Sequence, residues 1–214
     1  MITTTIDNLT LYNGDCMEYL RSLPDNAFEL AIVDPPYSKA NGNVERTGGT
    51  WAAKYGTSIK KWDKSPPPIY FAELKRVSKN QIIWGANYFE NMPPTRGFIV
   101  WRKLSISEKF SMAMAEYAWT SFDCNAKVFE CAPQGTKNDR RFHPTQKPIA
   151  LYAWILNNYA KEGNKILDTH LGSGSSAIAA WELGFEFVGV EIDTEYYNKA
   201  VERIKRHTAQ GKLF

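Results

Sequence analysis

The chain has 214 residues, of which 43% are hydrophobic and 23% are charged, and its net charge is +3. This composition indicates one globular domain with a full core and excludes an intrinsically disordered chain. The small positive charge permits nucleic-acid binding but does not by itself predict it. Three cysteines without metal-ligand spacing indicate neither a disulfide framework nor a zinc site, so we expect a protein of the reducing cytoplasm with no bound metal.

The N-terminal residues show no charged segment followed by an apolar one, so we expect no signal peptide. No apolar run is long enough to span a membrane, and no membrane partner is predicted.

The first third of the chain predicts two strands with a helix between them. Residues 9–12 form the first predicted strand, and a helix follows with Asp15 as its N-cap and Met17, Leu20 and Leu23 on its inner face. Residues 30–33 are uniformly apolar, which is typical of a strand buried inside a parallel sheet.

The middle of the chain predicts a long loop and then mixed structure. Residues 38–68 are rich in Gly, Ser, Thr, Lys and Pro without a clear period, so we expect a mobile, functional loop. A helix is predicted over 69–78 and a helical turn over 87–90. Strands are predicted over 81–84, 98–101, 116–120 and 126–130.

The last third alternates regularly between helices and strands. Helices are predicted over 148–159, with Pro148 in the first turn, and over 175–183 and 194–207, and strands over 165–167 and 185–190. Together the elements predict one α/β domain, residues 1–214, with a mostly parallel twisted sheet and helices on both faces.

Two motifs follow predicted strands. Asp34-Pro35-Pro36-Tyr37 comes directly after the buried strand at 30–33, and a simple turn is its alternative interpretation. The second begins with Asp168 and continues through Gly172-Ser173-Gly174 into a helix, with Glu191 at the end of the next strand. This is the pattern of a nucleotide-cofactor site, in which an acid about 20 residues after the first glycine binds a ribose hydroxyl.

The residues around the glycine turn bear on which cofactor binds. Ala177 stands where a dinucleotide fingerprint has its third glycine, so a nicotinamide-dependent dehydrogenase remains open. The carboxylate of Asp168 would repel a pyrophosphate but would suit a cation. It therefore favours S-adenosyl-L-methionine (AdoMet), which carries a sulfonium and an ammonium.

With both motifs in this order, the chain resembles the β-class amino-directed DNA methyltransferases of the adenine-N6/cytosine-N4, Asp-Pro-Pro-Tyr type. A third block, His-Pro-Thr-Gln-Lys-Pro at 143–148, stands before the AdoMet strand as in that class. Thr169 and His170 replace the usual Pro-Phe, and Ser175-Ser176 replaces the usual Thr-Thr. The resemblance implies a Rossmann-like methyltransferase fold, AdoMet as cofactor, and a base flipped out of double-stranded DNA.

The resemblance also implies a role for each matching residue. The Asp34 carboxylate and the Pro35 carbonyl would accept the two N–H bonds of the target amine, and Tyr37 would stack on the base. Glu191 would bind the ribose, while Thr145 and Lys147 would face the methionine end of AdoMet. The implied catalytic residues are Asp34, Pro35, Pro36 and Tyr37, and the implied cofactor residues are Asp15, Cys16, Asp34, Thr145, Lys147, Asp168, Gly172, Ser173, Gly174, Ser175 and Glu191.

Segments 38–68 and 102–142 are the candidates for DNA recognition, with Lys54, Lys60, Lys61 and the basic residues of 137–141 as candidate phosphate contacts. Solvated charge is the plain alternative for these residues. A homodimer, and a bacterial or phage source with or without a partner restriction enzyme, stay open.

Adenine is favoured as the target because related cytosine enzymes more often carry Ser at the position of Asp34. The alternatives are cytosine-N4 methylation, methylation of a protein glutamine or of RNA, and a non-catalytic DNA-binding module.

Overall fold

A computed structural model describes residues 2–36, 65–90, 92–110, 113–133, 141–143 and 145–211. Within these residues, nine strands form one sheet and five α-helices flank it. The strands are β1 Ile2–Ile6, β2 Leu9–Asn13, β3 Phe28–Val33, β4 Ser78–Trp84, β5 Phe98–Lys103, β6 Ala115–Thr120, β7 Lys127–Cys131, β8 Lys165–Asp168 and β9 Glu186–Glu191. The helices are α1 Cys16–Arg21, α2 Pro68–Val77, α3 Ile149–Tyr159, α4 Ser175–Glu182 and α5 Thr194–Gly211, and a short 3-10 helix spans Ala86–Tyr88.

The strand order is β1-β2-β9-β8-β3-β4-β6-β5-β7. The run from β2 to β4 is parallel throughout, whereas β1 is antiparallel to β2 and β6 is antiparallel to both of its neighbours. The last strand, β7, returns parallel to β5. The predicted α/β class and mostly parallel sheet are therefore confirmed.

Helices cover both faces of the sheet, and alternating side chains of the strands meet them. In β3, Leu30 and Ile32 pack with α3, α4 and α5, whereas Ala31 and Val33 pack on the opposite face with α1 and α2. Because both faces are covered, β3 is apolar at successive positions, as its sequence indicates.

The first strand was not predicted. Strand β1 is an edge strand whose threonines are exposed or half-buried, so it lacks the apolar signal of the other strands. It pairs with β2 through a tight turn in which Asp7 has a φ of 49°. The prediction that the fold begins at residue 9 is therefore wrong.

The remaining differences lie at element ends. Pro148 is the N-cap of α3 and not part of its first turn, β4 begins at Ser78, and α5 continues to Gly211. Among the described residues, no helix is both long and apolar enough to cross a membrane.

The strand order places the two motifs side by side. Strands β3 and β8 are parallel neighbours, with Leu30 opposite Ile166 and Ala31 opposite Leu167. Strand β9 lies on the other side of β8. The loops that follow these three strands therefore meet at the carboxyl edge of the sheet, where open α/β sheets bind ligands.

Candidate active site

A cavity of about 460 Å³ opens at this edge of the sheet. The loops after β2, β3, β8 and β9 line it, together with the segment before α2 and the segment before α3. It brings together the predicted site residues Asp15, Cys16, Asp34, Pro35, Pro36, Thr145, Lys147, Gly172, Ser173, Ser175 and Glu191. Asp168 and Gly174 do not line the cavity themselves, but they belong to the strand end and the turn that form its wall. Tyr37 lies outside the described residues.

The Asp-Pro-Pro segment begins where β3 ends. The Nζ atom of Lys147 donates to Oδ2 of Asp34 at 2.5 Å. The same Nζ lies 3.1 Å from Oε2 of Glu116 on β6. Lys147 is almost completely buried, and its ammonium lies between these two carboxylates. It therefore orients the carboxylate of Asp34.

The glycine turn needs left-handed backbone at two positions. Gly172 has a φ of 53° and Gly174, the N-cap of α4, has a φ of 77°. A Cβ atom at Gly174 would lie 2.9 Å from Cδ1 of Ile204 on α5. The buried guanidinium of Arg203 donates to the Ser173 carbonyl at 2.7 Å and to Ser175 Oγ at 3.0 Å, so α5 fastens the turn.

Asp168 is buried at the end of β8 and anchors this turn. Its Oδ1 accepts from the backbone N–H of His170 at 2.9 Å, and its Oδ2 accepts from the Ser176 hydroxyl at 2.6 Å. Burial raises the pKa of Asp168 to about 6 although these hydrogen bonds favour the ionised form.

Glu191 ends β9 and faces the glycine turn. Its Oε2 accepts from the Gly172 N–H at 2.8 Å and its Oε1 accepts from the Asp193 N–H at 2.9 Å. Burial raises the pKa of Glu191 to about 7. Glu191 thus lines the cavity, and Asp168 adds negative charge from behind its wall, an arrangement that suits a cationic ligand.

Thr169 and His170, which replace the usual Pro-Phe, form a hydrogen-bonded group with Tyr70 of α2. The Tyr70 hydroxyl and Thr169 Oγ1 share a hydrogen bond of 2.6 Å, and Thr169 Oγ1 lies 2.9 Å from Nδ1 of His170. Burial lowers the pKa of His170 to about 4, so its ring is neutral at pH 7. The substitutions exchange apolar packing for a satisfied polar group in the cavity wall.

The segment before α3, which carries Lys147, supplies another wall of the cavity. His143 is buried, contacts Thr145 through its Nδ1 and packs edge-on against Tyr196. Burial lowers its pKa to about 3, with contributions from Arg141 and Lys147. His143 is therefore a neutral packing residue.

Asp15 and Cys16 also line the cavity, at the start of α1. Oδ1 of Asp15 accepts from the Met17 N–H at 2.7 Å, which confirms the predicted N-cap. Burial, followed by the charge of Asp15, raises the pKa of Cys16 to about 12, so its thiol stays protonated and is no nucleophile.

Three residues of this region were missed from the sequence: Tyr70, Lys103 and Glu116. Tyr70 lies in the helix predicted over 69–78, but no side chain of that helix was predicted to belong to the site. Glu116 carried a usable signal, because it lies two positions before the buried Ala118 and therefore faces the core side of its strand.

Residues 100–202, slightly less than half of the chain, match a family model described as DNA methylase, N6_N4_Mtase. The type II methyltransferase M.HinfI of Haemophilus influenzae is 24% identical over 248 residues, covering 92% of this chain and 68% of its own length. Among solved structures, the M1.HpyAVI–SAM complex aligns with a TM-score of 0.58 at 21% identity over 91% of this chain and 99% of that chain. The cytosine-N4-specific PvuII DNA methyltransferase aligns with a TM-score of 0.63 at 13% identity over 95% and 92%.

The family match, the curated relative and the motif order agree on the class. They support an amino-directed DNA methyltransferase of the N6-adenine/N4-cytosine type, a class whose methyl donor is AdoMet. The two structural likenesses show the fold, a Rossmann-like methyltransferase sheet. The resemblance drawn from the motifs is confirmed.

We expect the affinity for AdoMet to rise with pH. A cationic ligand favours ionised Asp168 and Glu191, whose pKa values are raised to about 6 and about 7, so binding below these values must release protons. The Kd for AdoMet should fall about tenfold between about pH 5 and about pH 8 and then level off. Isothermal titration calorimetry in two buffers of different ionisation enthalpy would measure both the affinity and the protons released.

Glu191→Gln is the control for this pH dependence, because it leaves only the Asp168 step near pH 6. The stability of the ligand-free protein should change in the opposite sense. Raised carboxyl pKa values contribute stability that is present below about pH 4 and is lost as the pH rises through about 6 and 7. An affinity that is flat over this range would show that neither carboxylate releases a proton when AdoMet binds.

Proposed function

We propose that this protein transfers the methyl group of AdoMet to the exocyclic N6 of an adenine flipped out of double-stranded DNA. The observation that carries this proposal is the shared cavity of Asp34 and the glycine turn, which follow the neighbouring strands β3 and β8. A base-amine acceptor and a cofactor turn that are far apart in sequence thus face the same space.

The reaction requires activation of a weak nucleophile, the exocyclic amine of the base. The lone pair of an exocyclic amine is delocalised into the ring, so the amine needs acceptors for its N–H bonds to become nucleophilic. The Asp34 carboxylate and the Pro35 carbonyl are such acceptors, and the proline rings restrict the backbone that carries them. Such fixed acceptors stabilise the charge that develops on the nitrogen without rearrangement at the moment of reaction.

The residues of the cavity fit AdoMet as the second ligand. Asp168 and Glu191 supply buried negative charge, and the left-handed glycines bring backbone close to the cavity. AdoMet supplies the electrophilic methyl group when it is bound. Closed walls around the amine would exclude water, which strengthens the hydrogen bonds to Asp34 and Pro35.

Cytosine-N4 methylation is the second candidate, and it uses the same acceptors. It is supported by the fold likeness to the cytosine-N4-specific PvuII enzyme. Asp34 favours adenine, because the related cytosine enzymes more often have Ser at this position.

The test is to incubate the protein with labelled AdoMet and unmethylated double-stranded DNA, digest the DNA and identify the labelled nucleoside. Label on N6-methyladenine is the expected result. Label on N4-methylcytosine would support the same mechanism with cytosine, and not adenine, as the target base. The absence of label on several DNAs of different sequence, in a protein that binds AdoMet, would contradict the DNA assignment and direct the same assay to RNA and protein amides.

A further inference from the structure

Four charged side chains form a continuous row that ends at Asp34. Nζ of Lys103 lies 2.5 Å from Oε1 of Glu116, whose Oε2 lies 3.1 Å from Nζ of Lys147. Lys147 in turn contacts Asp34 at 2.5 Å. The signs alternate along the row, so each ammonium is next to a carboxylate and the total charge is zero.

The row is shielded from solvent. The exposed side-chain fractions are 6% for Lys103, 23% for Glu116, 2% for Lys147 and 12% for Asp34. Charges in such a place interact strongly, because little water screens them. Although burial alone would raise the pKa of Glu116, the ammonium groups of Lys147 and Lys103 lower it to about 2.

Tryptophan rings hold both ammonium groups in position. Nζ of Lys147 lies 5.2 Å from the ring centroid of Trp84, and Nζ of Lys103 lies 5.1 Å from that of Trp101. Both rings belong to the buried core beneath the row. A cation over an indole face is stabilised by the ring quadrupole, so each tryptophan helps to hold the ammonium of its lysine in one position.

The sheet brings the row together from distant parts of the chain. Trp84 ends β4, Lys103 ends β5 and Glu116 lies near the start of the antiparallel β6, with Glu116 opposite Trp101. These points lie at the edge where Asp34 leaves β3. The antiparallel strand β6 is what allows a side chain from its beginning to reach the carboxyl ends of its neighbours.

We propose that Glu116 and Lys103 are positioning residues that act through Lys147 on the carboxylate of Asp34. This inference rests on the acceptor role proposed for Asp34. Glu116 shares the Lys147 ammonium, which limits how tightly that ammonium holds Asp34 and leaves the carboxylate able to accept from the target amine. Lys103 balances Glu116, so that the row beyond Lys147 carries no net charge.

Loss of Glu116 alone would leave two ammonium groups facing one carboxylate. Repulsion from Lys103 would press Lys147 onto Asp34, and the carboxylate would become a weaker and misdirected acceptor. A stabilising role by itself is a poor explanation for the row, because buried ion pairs often contribute little or nothing to stability compared with apolar packing.

The test compares Glu116→Gln with Glu130→Gln. Arg102 on β5 and Glu130 on β7 form an ion pair of 2.7 Å, but their side chains are 66% and 47% exposed, and the pair is apart from the row. For Glu116→Gln we expect the methyl-transfer rate at saturating AdoMet and DNA to fall about 10–100-fold, since small displacements of reacting groups have effects of this size. The Kd for AdoMet should change by no more than about twofold, and Glu130→Gln should match the wild type.

The double variant Lys103→Gln/Glu116→Gln separates a positioning role from a structural one. Removing both charges leaves the Lys147–Asp34 pair neutral, so the double variant should be several-fold faster than Glu116→Gln alone. If Glu116→Gln does not fold, the rate of Lys103→Gln at unchanged AdoMet affinity provides the same test.

Three outcomes would overturn the inference: an unchanged rate in Glu116→Gln, an equal loss in Glu130→Gln, or a double variant slower than the single one. Asp34→Asn is assayed alongside. An inactive Asp34→Asn together with a fully active Glu116→Gln would refute this inference alone, whereas an active Asp34→Asn would refute the proposed role of Asp34.

Discussion

Asp34→Asn should lower the rate of methyl transfer by about 10²–10³-fold at saturating AdoMet and DNA, the loss typical of removing one preorganised electrostatic group. The amide keeps the shape of the side chain, and its oxygen can still accept from Lys147. It lacks the negative charge that would raise electron density on the target nitrogen, so the loss should fall on the chemical step.

Asparagine is preferred to alanine for this test because of the buried lysine. Alanine would leave the Lys147 ammonium without the Asp34 carboxylate, and removing one partner of a buried pair costs about 3–5 kcal/mol of stability. A loss of activity in Asp34→Ala could then reflect unfolding.

The measurement is a single-turnover assay with labelled AdoMet, together with the Kd for AdoMet. Asp25→Asn is the matched control, because Asp25 also pairs with a basic side chain, Arg76, but is 72% exposed and does not line the cavity. If Asp34→Asn keeps more than about a tenth of the wild-type rate, the carboxylate is not the acceptor that the mechanism requires.

The general position of the site could be predicted from the sequence because it depends on short-range patterns. An apolar strand followed by Asp34, and a strand followed by a glycine turn, each place their loop at the carboxyl end of a parallel strand. Parallel strands share that edge, so the two motifs had to face the same side of the sheet. The described residues of both motifs lie where this reasoning places them.

The row of charges could not be predicted in the same way, because it depends on which strands pair. Glu116 and Lys103 meet because β6 runs antiparallel between β4 and β5, a pairing that no local pattern specifies. The contact of Lys147 with AdoMet stays a prediction, whereas its contact with Asp34 is observed.

The DNA-recognition predictions depend on other parts of the chain. Lys54, Lys60, Lys61 and residues 137–140 lie outside the described residues, as does most of segment 38–68. Within 102–142, β6 and β7 are integral strands of the sheet. Reading of the DNA sequence by this segment therefore remains a proposal about its loops.

Gly174→Ala should reduce both stability and AdoMet binding. The residue has a φ of 77°, and a left-handed backbone costs a residue with a Cβ atom about 1–2 kcal/mol. The new methyl group would also lie 2.9 Å from Cδ1 and 3.3 Å from Cγ1 of Ile204, a fully buried side chain. With about 1–3 kcal/mol for this overpacking, we expect a total loss of about 2–5 kcal/mol in the free energy of unfolding.

The same substitution should weaken AdoMet binding at least about tenfold, since relief of the contact requires the turn to move away from α5. Arg203 and Ile204 are consecutive residues of α5, and Arg203 holds the carbonyl of Ser173. A shift at Gly174 therefore displaces Ser173 and Ser175, which line the cavity.

Gly184→Ala is the matched control for Gly174→Ala. Gly184 follows the other end of α4 with a φ of 75°, and a Cβ atom there would meet nothing within 4 Å. This variant should lose only the contribution of the left-handed backbone, about 1–2 kcal/mol of the free energy of unfolding, and should keep its affinity for AdoMet. Urea unfolding and calorimetry would measure both quantities.

The double variant Gly174→Ala/Ile204→Val tests the cause directly. Valine lacks the Cδ1 atom nearest to the new methyl group, so it should restore part of the AdoMet affinity lost in Gly174→Ala, although Ile→Val in a core usually costs about 0.5–1.5 kcal/mol by itself. If the losses in the free energy of unfolding caused by Gly174→Ala and by Ile204→Val were simply additive in the double variant, Gly174 would be required for its backbone conformation alone. The packing of α5 would then have no part in shaping the cofactor turn.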